Sequence, residues 1–331
     1  MSFFAVLFAL LIEQLKPLPR GNVIHDTLTG WMRWAGRNFD AGREHHAWVV
    51  WGITVLVPAL ATLLVYKVFG HFSLLLALGW NVAVLYLTLG FRQFSHYFTD
   101  IRDALDRGDE NEARRLLAQW RHLDASELPR TELLRHVIEH SLLAAHRHVF
   151  GAFFWFVVLS TLGFGPAGAV FYRMAEFTSR YWAFKSRALG MPLNEGLMRL
   201  SQQLFRWIDH VPARLTAFGF AVVGNFEEAV GCWRRDAGLW LHANEGIILA
   251  AAAGAAGVQL GGSAASGITP DRSKTFATGV GEFDGTATQG GATSGVAPQI
   301  GHLHSIVGLV WRSVILWMLL LALLSLANLV G

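Results

Sequence analysis

Four histidines and a glutamate fall within thirteen residues of this chain: His136, Glu139, His140, His146 and His148. Residues three and four apart share a helix face, so a helix here sets His136 beside both Glu139 and His140. Such a face can hold a divalent metal through His136 and His140, or present Glu139 as a general base with His136 next to it. The plainer reading is a set of interfacial histidines at the foot of a membrane helix. Glu176 is a second candidate. It stands just past an apolar run, between Arg173 and Arg180. A carboxylate at a membrane border is a functional candidate by default, and i,i+3 and i,i+4 pairing with the two arginines is the alternative. Among cations, Arg214 in Val211-Pro-Ala-Arg-Leu-Thr-Ala reads as a phosphate or carboxylate clamp or as a snorkelling anchor. Arg235, within Arg234-Arg-Asp236, reads as an anion site or a solvated group. Asn244 and Gly246 open an Ala/Gly-rich stretch. A helix starting there offers free backbone N–H groups to an anion, or simply packs tightly against a neighbour. The chain has no phosphate-binding glycine loop, nucleophile elbow, His-Glu-x-x-His pair or dinucleotide fingerprint.

The elements that position these residues are those of a membrane protein. Of 331 residues, 53% are hydrophobic and 15% charged, against about 25% charged in soluble domains. Mean hydropathy is +0.37. Thirteen tryptophans suit the membrane–water interface. The net charge of +3 fits basic loops against lipid, and no basic patch interleaved with aromatics points to nucleic acid. The single cysteine, Cys232, excludes an intramolecular disulfide and a cysteine-based metal site. Met1 to Ile12 is apolar but has neither a positive n-region nor an Ala-x-Ala site, so it does not read as a cleaved signal peptide.

The expected fold class is all-α, a polytopic helical membrane protein with membrane-adjacent helical segments and a re-entrant helix. Residues 1–91 carry N-terminal membrane segments, including a hairpin of spans Ala47–Phe69 and His71–Phe91 that turns at Gly70. Residues 92–148 form a polar amphipathic segment, broken at Gly108-Asp109 and followed by a helix from about Pro129 to Phe150. Residues 149–262 mix membrane segments with polar helices. Gly163-Phe-Gly-Pro-Ala-Gly168 interrupts the run Val149–Phe171. With basic residues expected on the cytoplasmic side in segments 16–43, 92–147 and 173–206, that run turns back instead of crossing. Residues 263–304 read as a Gly/Ser/Thr-rich loop, and 305–331 as a C-terminal transmembrane helix with one charge, Arg312.

Taken in order, several strings resemble one family. They are Gly108-Asp-Glu-Asn-Glu-Ala-Arg-Arg-Leu, Phe154-Trp155, Val211-Pro-Ala-Arg-Leu-Thr-Ala, Arg235-Asp-Ala237 and Gly254-Ala-Ala-Gly-Val-Gln-Leu-Gly-Gly262. With an apolar N-terminus, a span hairpin and a C-terminal span, the chain is similar to the adenosylcobinamide-phosphate synthase family (CobD/CbiB) and its relative AmpE. The resemblance implies a multi-pass protein of the bacterial inner membrane. Its enzyme branch joins adenosylcobyric acid to an aminopropanol or its phosphate by an amide bond. The implied partners are the lipid bilayer, a corrinoid and an amino-alcohol phosphate. No resident cofactor is implied, and oligomeric state is left open. The synthase pattern Glu-Ser-Val-Ala-Glu-Asn-x-x-Asp-Gly falls near Arg135–Ala144, where only Val137 and Glu139 match. The Asp of a second pattern, Asn-Thr-x-Asp-Ser-Met, has only Glu176 nearby, and Asn-Ala-Gly-Trp-Pro keeps Asn244 and Gly246. Glu13 and Val223-Gly-Asn-Phe226 lean toward AmpE, an accessory membrane protein connected with β-lactamase induction. Two readings follow. One is an amide-forming synthase with Glu139, His136 and Glu176 as catalytic candidates and Arg214, Arg235, Asn244 and Gly246 as substrate-binding candidates. The other is a non-catalytic accessory protein.

Overall fold

A computed structural model describes residues 2–15, 23–40, 44–89, 91–121, 125–189, 195–262 and 291–330. Residues 263–290 of the expected Gly/Ser/Thr-rich loop, and the basic residues at 16–22 and 41–43, lie outside the described residues. The described chain is all-α. Its β features among those residues are isolated bridge positions only, Val258 with Val296 among them. Among the described residues three helices are long and apolar enough to cross a membrane: His45–Phe72, Arg130–Thr161 and Ile300–Ala327. The first and last of these expose many Leu, Val and Ile side chains, untenable in water at this density and natural against lipid. The protein is therefore an α-helical polytopic membrane protein.

The chain forms two compact units. The first takes the described residues up to Arg92 and Arg147–Asp209; the second takes Gln93–His146 and the described residues from His210 onward. The first unit holds α1 (Ser2–Leu15), α2 (Val23–Phe39), α3 (Glu44–Phe72) and α4 (Leu74–Thr88). The α3/α4 hairpin differs from expectation. Gly70 stays inside α3, and the chain turns at Ser73, whose hydroxyl caps α4 by accepting from Leu75 N at 3.2 Å. The second arm is thus a 15-residue helix rather than a full span. Trp80 Nε1 ties it back to the Thr62 carbonyl of α3 at 3.2 Å. Pro58 sits within α3, tolerated as prolines are in membrane helices.

α5 (Phe91–Asp106) and α6 (Glu110–Arg121) follow. They are separated as expected at Gly108, φ +78°, a left-handed value that suits glycine. Asp109 Oδ1 accepts from Glu112 N at 3.0 Å and caps α6. α7 (Arg130–Ala145) continues through a π-helical turn, His146–Phe150, into α8 (Gly151–Thr161). The polar-to-apolar boundary at 148/149 is therefore not a helix end. Nor is α7 amphipathic: every residue from Leu133 to Ala145 is buried. Its polar groups must find partners inside the protein.

The expected interruption is real. α8 ends at Thr161 and α9 (Ala167–Leu189) begins after Gly163 and Gly165, both at positive φ. α8 and α9 pack on each other, closely enough that a Cβ on Gly168 would lie 2.0 Å from the Trp155 carbonyl oxygen. α10 (Glu195–Ile208) lies against α9 and α3 and completes the first unit.

The second unit is completed by α11 (His210–Val223), α12 (Phe226–Asp236), α13 (Ala243–Ala256) and α14 (Ile300–Val330). α13 is its centre, packed on α7, α11, α12 and α14 and buried throughout Gly246–Gly254. Small residues permit this. A Cβ on Gly254 would meet the Glu228 carbonyl oxygen of α12 at 2.3 Å.

Candidate functional site

α13 ends at Gly257, whose left-handed conformation (φ +68°) lets its N–H close on the Ala253 and Gly254 carbonyls. The chain then leaves extended as Val258-Gln-Leu-Gly-Gly262 and meets residues 291–296. Gln259 N donates to Val296 O at 2.8 Å, and Val296 N to Gly257 O at 3.1 Å. Thr293 N donates to Leu260 O, and the Thr293 hydroxyl accepts from Leu260 N, both at 2.8 Å. Gly261 (φ +71°) allows no side chain: a Cβ there would lie 2.3 Å from Gly291 O.

This short ledge is held on α7 by two buried side chains one turn apart. Glu139 Oε1 accepts from Gly261 N at 2.8 Å, across 122 residues of sequence. Arg135 donates to Gly261 O at 2.5 Å and pairs with Glu132. The two peptide units flanking Gly261 are thus gripped, one at its N–H by an anion and the next at its carbonyl by a cation, the charge-assisted kind of hydrogen bond. His136 shares the face: its Nδ1 lies 3.9 Å from Glu139 Oε2 and 3.5 Å from Arg121 Nη1. Its Nε2 has no hydrogen-bond partner among the described residues. His140, one turn on, sets its ring edge-on to Trp120, centroids 4.3 Å apart.

The spacing argument therefore brings His136, Glu139 and His140 together, all buried. Among the described residues no group of three or more His, Cys, Asp or Glu is placed to hold a metal ion. His146 instead lies 2.9 Å from the Thr216 hydroxyl, within the Pro-Ala-Arg-Leu-Thr-Ala string. Arg121 and Thr293 escaped the sequence reading. Both act through tertiary contacts that leave no local signature.

The remaining candidates are placed as follows. Glu176 belongs to the first unit. It is fully buried and paired with Arg173 at 3.0 Å and with Arg180, the spacing-based ion pairs. Arg214 donates from Nη1 to the His210 carbonyl of its own helix at 2.9 Å. Arg235 grips Asp236 with two hydrogen bonds, 2.8 and 3.0 Å, and also reaches Ser294. The Arg235 hydrogen bonds, opposed by burial, hold the Asp236 carboxyl below its usual range. Arg235 and Asp236 thereby pin the 291–296 strip to the end of α12. Asn244 is buried at the start of α13. At Gly246 a Cβ would lie 2.5 Å from the Ala237 carbonyl oxygen, so that glycine serves close packing.

A family model described as CobD/Cbib protein matches residues 2–278. Cobalamin biosynthesis protein CobD of Stutzerimonas stutzeri is 32% identical over 328 residues, 96% of each chain. Cobalamin biosynthesis protein CobD of Chromobacterium violaceum is 36% identical over 186 residues, 55% of each chain. No solved structure matches. The match spans both the α7 motif and the α13 glycine string, the two pieces that meet at Gly261, and the chain belongs to the CobD/CbiB family.

Proposed function

We propose that this protein works in cobalamin biosynthesis in a bacterial inner membrane, forming an amide between a corrinoid carboxylic acid and an amino alcohol or its phosphate. One observation carries the reading. Glu139, the carboxylate that matches the synthase pattern, is bonded to Gly261 of the Gly-Val-Gln-Leu-Gly-Gly string. Two separate pieces of the family resemblance are thus one physical unit here. In this reading a nucleoside triphosphate co-substrate phosphorylates the corrinoid carboxyl group, and the amino alcohol, protonated near neutral pH, must lose a proton before it attacks that carbon and expels the phosphate. Glu139 accepts that proton with His136 beside it, and also orients the ledge. Arg135 and Arg121 supply positive charge for the oxygen on which negative charge develops.

A second reading, an AmpE-like accessory protein without catalysis, is favoured by a different observation. Glu176, Asp236 and Glu139 are each engaged by groups of the protein itself, as in a structural network. Deleting the gene in its own organism and measuring cobamide separates the two. The synthase reading expects cobamide to disappear, to return with the wild-type gene, and not to return with Glu139→Gln. Undiminished cobamide in the deletion strain selects the accessory reading.

A further inference from the structure

The first unit carries a cationic, aromatic patch that neither reading above uses. α2 buries Met32 and Ala35 against Ala47 and Trp51 of α3 and Trp182 of α9. Gly36 makes the closest approach: a Cβ there would lie 2.6 Å from the Trp182 ring. Clamping α2 to α9 at this point turns Arg33, Trp34 and Arg37 outward. It also brings Arg33 and Arg37 near enough to Lys185 for their charges to act on its amine, and that ammonium stands 5.3 Å over the same Trp182 ring. Arg33 and Arg37 are one helical turn apart, so their charges share a face. Burial, and then the Arg37 charge, hold the Lys185 amine below its usual range against the opposing pull of Asp40, with Arg33 adding to the lowering, so one carboxylate stands among the three cations. Trp34 is 46% exposed and stacks on Trp31, centroids 4.9 Å apart. α2 leads directly toward the candidate span His45–Phe72. The patch therefore sits at the foot of a membrane helix, where lipid headgroups lie.

The geometry points to a binding site for the phosphate of an anionic phospholipid, formed by Arg33, Arg37 and Lys185, with Trp34 set against the glycerol and upper acyl region. Two guanidinium groups on one helix face and a nearby ammonium, a net positive charge even with Asp40 counted, suit the oxygens of a phosphodiester. A tryptophan with one face exposed matches the interface just below it. A zwitterionic lipid carries its own ammonium beside the phosphate and is repelled by the third cation.

The test uses the full-length protein in detergent, titrated with dioleoylphosphatidylglycerol or dioleoylphosphatidylcholine. Bound lipid is counted by native mass spectrometry, and the melting temperature is followed in parallel. Phosphatidylglycerol should bind in preference to phosphatidylcholine and raise the melting temperature. Arg33→Gln/Arg37→Gln should weaken phosphatidylglycerol binding roughly thirtyfold, at about a factor of five per basic residue at a lipid surface. Arg33→Lys/Arg37→Lys should retain most of it, and Lys185→Met should lower it independently. Melting of each variant without added lipid reports folding. Equal binding of the two lipids overturns the proposal, as does unchanged phosphatidylglycerol binding in a folded double Gln variant. Protection by inorganic phosphate alone at the same concentration overturns it too, by showing a site for a free anion.

Discussion

Removing the Glu139 side chain should free the ledge that carries Gly261 without unfolding the membrane helices. In the native protein the Gly261 N–H donates to Glu139 Oε1 at 2.8 Å in a buried setting. A hydrogen bond to a charged group contributes about 1.5–3 kcal/mol. In Glu139→Ala the N–H loses its acceptor while Arg135 still holds the neighbouring carbonyl at 2.5 Å. Opening of the ledge then becomes easier by about 10- to 150-fold, at tenfold per ~1.4 kcal/mol. Glu139→Gln keeps a carbonyl oxygen at the same place. As a neutral acceptor it should retain about 1 kcal/mol of the contact. Hydrogen–deuterium exchange resolved by mass spectrometry reads this directly in overlapping peptides covering 257–262, with the α10 peptide 195–208 as an internal control. The expected order of exchange at Gly261 is Ala fastest, Gln intermediate, wild type slowest, with α10 unchanged. Wild-type exchange at Gly261 in a folded Ala variant would refute the assigned contact.

Three further outcomes follow from the same structure. Thr293→Val should speed exchange at Leu260, because the hydroxyl that accepts from Leu260 N at 2.8 Å is lost, while α7 peptides stay protected. Gly254→Val should lower the melting temperature sharply and Gly231→Ala hardly at all. The first forces a side chain onto the Glu228 carbonyl oxygen at 2.3 Å, whereas the second has open space. Glu176→Gln should cost about 3–5 kcal/mol by leaving Arg173 and Arg180 without their buried counter-charge. Glu195→Gln, at the exposed pair with Arg199, should leave the melting temperature unmoved, and equal shifts for the two would contradict the burial of Glu176.

Much of the helical frame is legible in the sequence because its punctuation is chemical. Gly108 and the Gly163–Gly168 string break helices where backbone freedom is needed, and the structure breaks there. Gly70 misleads for the same reason: a glycine in an apolar run need not end a helix, and the capping hydroxyl of Ser73 decides the turn. The His136/Glu139 pairing follows from i,i+3 spacing on one face, and the Glu176 ion pairs from spacing alone. What spacing cannot supply is the partner of Glu139, which lies in another element. The same holds for Thr293, read from the sequence as mere loop. Arg214 and Arg235 read as anion clamps from their residue type, while the partners they take are local ones, the His210 carbonyl one turn back and the adjacent Asp236 carboxylate.

The central claim is amide formation, and the direct measurement is product mass. Membranes containing the protein are incubated with adenosylcobyric acid, an aminopropanol phosphate and a nucleoside triphosphate, then analysed by mass spectrometry beside membranes carrying Glu139→Gln. The account predicts a corrinoid heavier than the acid by the amine minus one water, formed by the wild type and absent with the variant. A well-folded wild-type protein that neither forms this product nor retains the corrinoid acid would contradict it.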